Sequence, residues 1–155
     1  MIYFMRPNFH DVAGLWDRNG SLRDIYVQNT KAVHWDRFDQ LLSQYKCTYT
    51  FDGLPLPFPG SRSALANRDG CHLLSILLDG PVINCHFFIP EQLELDISPK
   101  EVAESLEHER VLTFVENLAE ALELPADITP ENCEQKPFIT YFPETKSWLV
   151  HDDPQ

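Results

Sequence analysis

Three observations predict an α+β fold, an antiparallel or mixed sheet with helices packed on one face. Runs that alternate like strands outnumber runs with helical spacing. Short turn signals join most of those strands. The clearest turn, Asp79-Gly80, separates two apolar runs and centres the sheet on a hairpin at 71–89. Short turns suit antiparallel neighbours, because a parallel crossover needs a dozen residues or more. The 155 residues read as one domain, 1–155, with loose ends at 1–10 and 151–155. A hydrophobic content of 43% suffices for a core.

Asn19-Gly20 lies between Leu15-Trp16 and the alternating run Leu22–Val27. Asn-Gly fits the positive φ angles of a type I′ turn, so a hairpin is expected there. Asn29 or Thr30 is the expected cap of a helix at about 31–45, where Trp35, Phe38, Leu42 and Tyr45 recur at helical spacing. Cys47–Phe51 alternates as a strand, and Pro55, Pro57 and Pro59 make the next segment an extended strap. Residues 61–70 read as loop with one helical turn.

In the hairpin, strands near 71–78 and 81–89 pair residue 78 with 81, 76 with 83, 74 with 85 and 72 with 87. His72, Leu74, Ile76, Leu78, Ile83, Cys85 and Phe87 then share a core face. Cys71, Leu73, Ser75, Leu77, Val82, Asn84, His86 and Phe88 share a mixed face. Leu93, Leu95 and Ile97 alternate with Glu94 and Asp96 as another strand with one wet face. Ser98-Pro99-Lys100-Glu101 carries a cap, a first-turn proline and a capping box. On a helical wheel Val102 and Leu106 oppose Val111, Phe114, Val115, Leu118 and Leu122. A break near Leu106–Glu109 is therefore expected, giving helices at about 98–106 and 108–123. Residues 129–133 read as loop, and 138–142 and 148–150 as closing strands.

The net charge is -12, and the whole excess falls in residues 91–155, which hold sixteen acids against four Lys or Arg. That sign repels phosphate and anionic lipid, so neither a nucleic-acid nor a membrane partner is expected. Arg6, Pro7, His10 and Asp11 interrupt the first apolar stretch, and no run approaches the roughly 20 residues that span a bilayer. A soluble, cytoplasmic protein with reduced thiols is expected, because Cys47, Cys71, Cys85 and Cys133 lack any paired spacing. The six histidines show no metal-ligand spacing, and His108, between two glutamates, reads as solvated. Phosphate-binding glycine motifs and nucleophile elbows are absent. No metal and no cofactor are expected.

Two constellations remain. Glu104, Glu107, Glu116, Glu120 and Glu123 lie outside the apolar stripes, and the last three share a helix face. They are candidate contacts for a basic protein partner. Cys71, Ser75, Asn84 and His86 on the mixed hairpin face are an alternative small-molecule or catalytic pocket, with Cys71 diagonal to His86 as nucleophile and base. A homo-oligomer that buries this face against its copy is a third reading. A small, acidic, motif-poor α+β chain is similar in type to bacterial immunity proteins that neutralise basic nuclease toxins. That likeness of type implies a non-catalytic inhibitor, and no residue is carried over from it.

Overall fold

The computed structural model describes residues 2, 3 and 5–151. The chain forms one antiparallel open sheet, α+β in class, with helices on one face. The elements are β1 (Ile2–Tyr3), β2 (Arg23–Gln28), α1 (Ala32–Leu42), β3 (Lys46–Phe51), β4 (Leu54–Pro55), α2 (Ser61–Ala66), β5 (His72–Leu77), β6 (Val82–Cys85), β7 (Gln92–Ile97), a 3-10 turn (Pro99–Glu101), α3 (Ser105–Leu122), β8 (Ala126–Pro130), β9 (Ile139–Phe142) and β10 (Ser147–Val150). The strand order is β1-β10-β9-β8-β2-β7-β6-β5-β3-β4, so β2 joins the β3–β7 and β8–β10 meanders, each local in sequence, while β1 pairs with β10 from the far end of the chain.

The 71–89 hairpin forms in the expected register, with Leu74 opposite Cys85, Ser75 opposite Asn84 and Ile76 opposite Ile83. Leu74, Ile76, Ile83 and Cys85 are fully buried beneath the helices, as strict period-two alternation requires. The second strand stops at Cys85 rather than 89, because Phe87 turns to φ 57° and leaves the ladder. α1 and α3 pack on each other, and α3 lies against β8 and β9. Val111, Phe114, Val115, Leu118 and Leu122 of α3 are all buried.

Several expectations are corrected. No hairpin forms across Asn19-Gly20, since β2 pairs with β7 and β8. Asn19 instead accepts from Ser21 N–H and its hydroxyl, a local turn that competes with a hairpin. Lys31, not Asn29 or Thr30, caps α1, because Thr30 donates to the Pro90 carbonyl. The helical interruption falls at 102–104, earlier than Leu106–Glu109, so the segment 98–106 contains one 3-10 turn and α3 begins at Ser105. Glu101 does not close a capping box there but accepts from the Val82 N–H at 2.6 Å. Val102 is buried in the gap, and Leu106 is left 56% exposed on α3. Residues 126–130, partly read as loop, form β8.

Arg6 and Pro7 lie in the expected loose end at 1–10, yet both are tied to α3. Arg6 grips Glu116 with two bonds and reaches Glu109 with a third. The Pro7 carbonyl accepts from His108 Nε2 at 2.8 Å. His108 is fully buried, not solvated, and its Nδ1 accepts from the Trp16 indole. Residues 152–155 of the other expected loose end lie outside the described residues.

Candidate functional site

The α3 glutamates do not stand as one free acidic face. Glu104 and Glu107 bond each other's backbone N–H and start the helix. Glu116 is held by Arg6 and also accepts from the Trp148 indole at 2.8 Å. Glu120 accepts from Lys146 at 2.7 Å and from the Tyr141 hydroxyl at 2.8 Å, which hold its carboxyl below its ordinary pKa. Glu123, in the left-handed conformation that ends the helix, meets Arg37 at 3.1 Å. Three of the five are thus paired with cations of the same chain, and two serve as a cap.

On the mixed hairpin face, Ser75 donates to Asn84 at 2.9 Å, and Asn84 donates to Asp96 at 3.2 Å. His86 bonds Asp96 through Nε2 at 3.2 Å and stacks on Phe88. The hydrogen bond to Asp96 raises the His86 pKa. Cys71 is exposed and lines a cleft of about 210 Å³ with His86, but no hydrogen bond joins them among the described residues. The Cys71 N–H is instead taken by Asp52 Oδ1. A thiol–imidazole dyad needs that missing contact.

A larger cleft, about 480 Å³, lies beside Val12, Gly14, Asp17, Arg23, Lys136, Phe138 and His151. Arg23, 2% exposed, donates to the carbonyls of Leu15, Leu22, Gly14 and Asp17 and to the Ser21 hydroxyl. Those five acceptors use all five guanidinium donors. Burial lowers its pKa, and its role is to hold the 14–22 loop rather than to receive an anion.

The sheet face turned away from the helices carries a feature that the sequence did not isolate. Alternation sets Asp24 and Tyr26 of β2, Glu94 and Asp96 of β7, and Asp127 of β8 on it. Asp24 stands directly opposite Asp96, and Tyr26 lies between Glu94 and Asp127. The loop after β8 adds Glu131 and Glu134: Asn132 N–H donates to Asp24, Glu131 accepts from Leu22 N–H, and Glu134 accepts from Gln28 and Gln92. Burial comes first among the causes that lift Asp24, Glu94 and Asp127 above the ordinary carboxylate range. Mutual repulsion adds to it, from Asp96 and Glu131 on Asp24 and from Asp24, Asp96 and Glu134 on Glu94. Among the described residues, none of these six carboxylates forms an ion pair with Lys or Arg. The alternation at 93–97 signalled a wet face. Its neighbours were hidden because β8 read partly as loop and β2 was expected in a different hairpin.

Among the described residues, no group of three or more His, Cys, Asp or Glu is arranged to hold a metal ion, and no helix is long and apolar enough to cross a membrane. No protein-family model, curated protein or solved structure matches the chain.

Proposed function

We propose that this chain is a non-catalytic, acidic protein-binding domain, an inhibitor or immunity-like protein for a basic partner. The observation that carries the reading is the division of its charge. The glutamates of α3 are largely answered by Arg6, Arg37 and Lys146, whereas among the described residues no Lys or Arg pairs with the carboxylates of the helix-free face, of which Asp96 meets His86. Like charges directly opposite in an antiparallel pair cost stability. A cationic partner offsets that cost, and an unneutralised field steers such a partner inward before contact.

The test is kinetic. The immobilised chain is used to capture proteins from the cell that makes it, and each is then purified and its association rate measured against ionic strength. A basic partner whose rate falls steeply with salt is the expected result, since screening beyond about 8 Å removes steering. A partner with no basic surface, or a rate indifferent to salt, overturns the reading.

A further inference from the structure

We infer that the docking surface is the helix-free face of the sheet, and that it receives a basic segment of a protein partner that also carries apolar side chains. The inference rests on the reading above and assigns it a place and a chemistry. The face has two unlike halves. Across β7, β2 and β8 lie Asp96, Glu94, Asp24 and Asp127, in adjacent strands of one ladder. Across β5 and β6 the same face carries Leu73, Leu77 and Val82, all half-buried, with Leu77 paired to Val82. Ser75, Asn84 and His86 run along the seam, linked to Asp96 by hydrogen bonds.

The two halves ask for two kinds of side chain from one occupant. Lys or Arg placed over β7, β2 and β8 meets carboxylates that, among the described residues, no Lys or Arg of the chain answers, although Asp96 meets His86 at 3.2 Å. Asp24, 3% exposed, adds to the field from below, while Glu94, Asp96 and Asp127 are reachable. Aliphatic side chains of the same segment then cover Leu73, Leu77 and Val82. Seven strands from β3 to β9 carry this face, but Tyr26, Thr129 and Thr140 on it are already buried, so its reachable part centres on β3, β5, β6 and β7, with Asp127 beside it. The opposite face is closed by α1 and α3 and cannot serve. The α3 surface brings its own cations, Arg6, Arg37 and Lys146, to the acids there.

The experiment uses the full chain and two synthetic peptides of about ten residues, about 33 Å long when extended. One joins a Lys-rich half to a Leu-rich half, the other a Lys-rich half to a Ser-rich half, so they match in charge and differ in apolar content. Affinities are measured calorimetrically at low salt, with amide shifts mapped by NMR. The Lys-Leu peptide is expected to bind more tightly and to shift amides of β6, β7, β2 and β8. Glu94→Gln with Asp127→Asn should weaken it about tenfold, while Glu104→Gln with Glu123→Gln, equal in charge removed, should leave affinity within about twofold. Circular dichroism confirms that both variants keep their fold. Equal loss in the two variants, or shifts confined to α3, overturns the placement while leaving a basic partner intact. Equal affinity for the two peptides overturns the apolar component. Failure of both peptides to bind at low salt overturns the basic-partner reading itself.

Discussion

His108 shows how one side chain couples the N-terminal segment to the rest. Its two nitrogens are committed in opposite senses, Nδ1 accepting from Trp16 and Nε2 donating to the Pro7 carbonyl. That arrangement demands a neutral imidazole, and burial accordingly lowers its pKa. A histidine depressed in the folded state contributes stability that is whole above its unfolded value of about 6.5 and is lost as pH falls through the lower folded value. The urea midpoint should therefore drop between about pH 7.5 and about pH 5. His108→Phe should start lower at neutral pH and lose less over the same interval. Ile83 is a simpler case: it is fully buried, so Ile83→Ala should cost about 2–5 kcal/mol in urea denaturation. Ile83 was legible because alternation alone assigns it a face. His108 was not, because its glutamate neighbours suggest solvent, and its partners lie 92 and 101 residues away.

Among the elements, α3 shows where periodicity informs and where it misleads. The opposed stripes at Val102–Leu106 and Val111–Leu122 correctly require an interruption. They do not locate it, because Leu106 can be surrendered to solvent more cheaply than the helix can lose its first turn. Since Leu106 is 56% exposed, Leu106→Lys should change stability by less than about 0.5 kcal/mol in thermal denaturation. The start of β5 is less forgiving. A Cβ on Gly70 would lie 2.5 Å from Asp52 Oδ2 and 2.6 Å from Phe51 Cζ, while Asp52 also accepts from the Cys71 N–H. Gly70→Ala should cost about 1–3 kcal/mol, read as a lowered urea midpoint. The hairpin register could be read residue by residue, because Asp79-Gly80 and an apolar set on one face agree. The Asn19-Gly20 signal was equally strong locally, and it lost to the pairing of β2 with β7 and β8 and to the carbonyls that Arg23 gathers.

At the scale of the whole molecule, the acidic excess was legible in composition but its distribution was not. Which acids meet cations depends on strand order, and neither Arg6 on Glu116 nor Asp24 opposite Asp96 follows from spacing. The helix-free face makes a stability prediction that needs no partner. Glu94 has a folded pKa above its ordinary value, so stability falls as pH rises through the interval between the unfolded and folded values. Glu94→Gln should be more stable than wild type at neutral pH, and the gap should close below about pH 4, where the carboxylate is protonated in both states. A wild type more stable at neutral pH would mean that Glu94 makes a favourable contact.

β2 is made early and completed late. It must wait for β7 on one edge and β8 on the other, and its Asp24–Thr129 pairing spans more than a hundred residues of chain. During synthesis the β3–β7 meander can close on its own, whereas Ile25 and Val27 have no lasting cover until α3 and β8 have emerged. Non-local pairing of this kind slows folding, because the loop must be closed before the contact stabilises it. Refolding from urea should therefore show β7 amides protected before those of β8 in pulsed hydrogen exchange. For part of its synthesis the nascent chain then holds an apolar strand with two open edges, the stage at which association with another copy competes with folding.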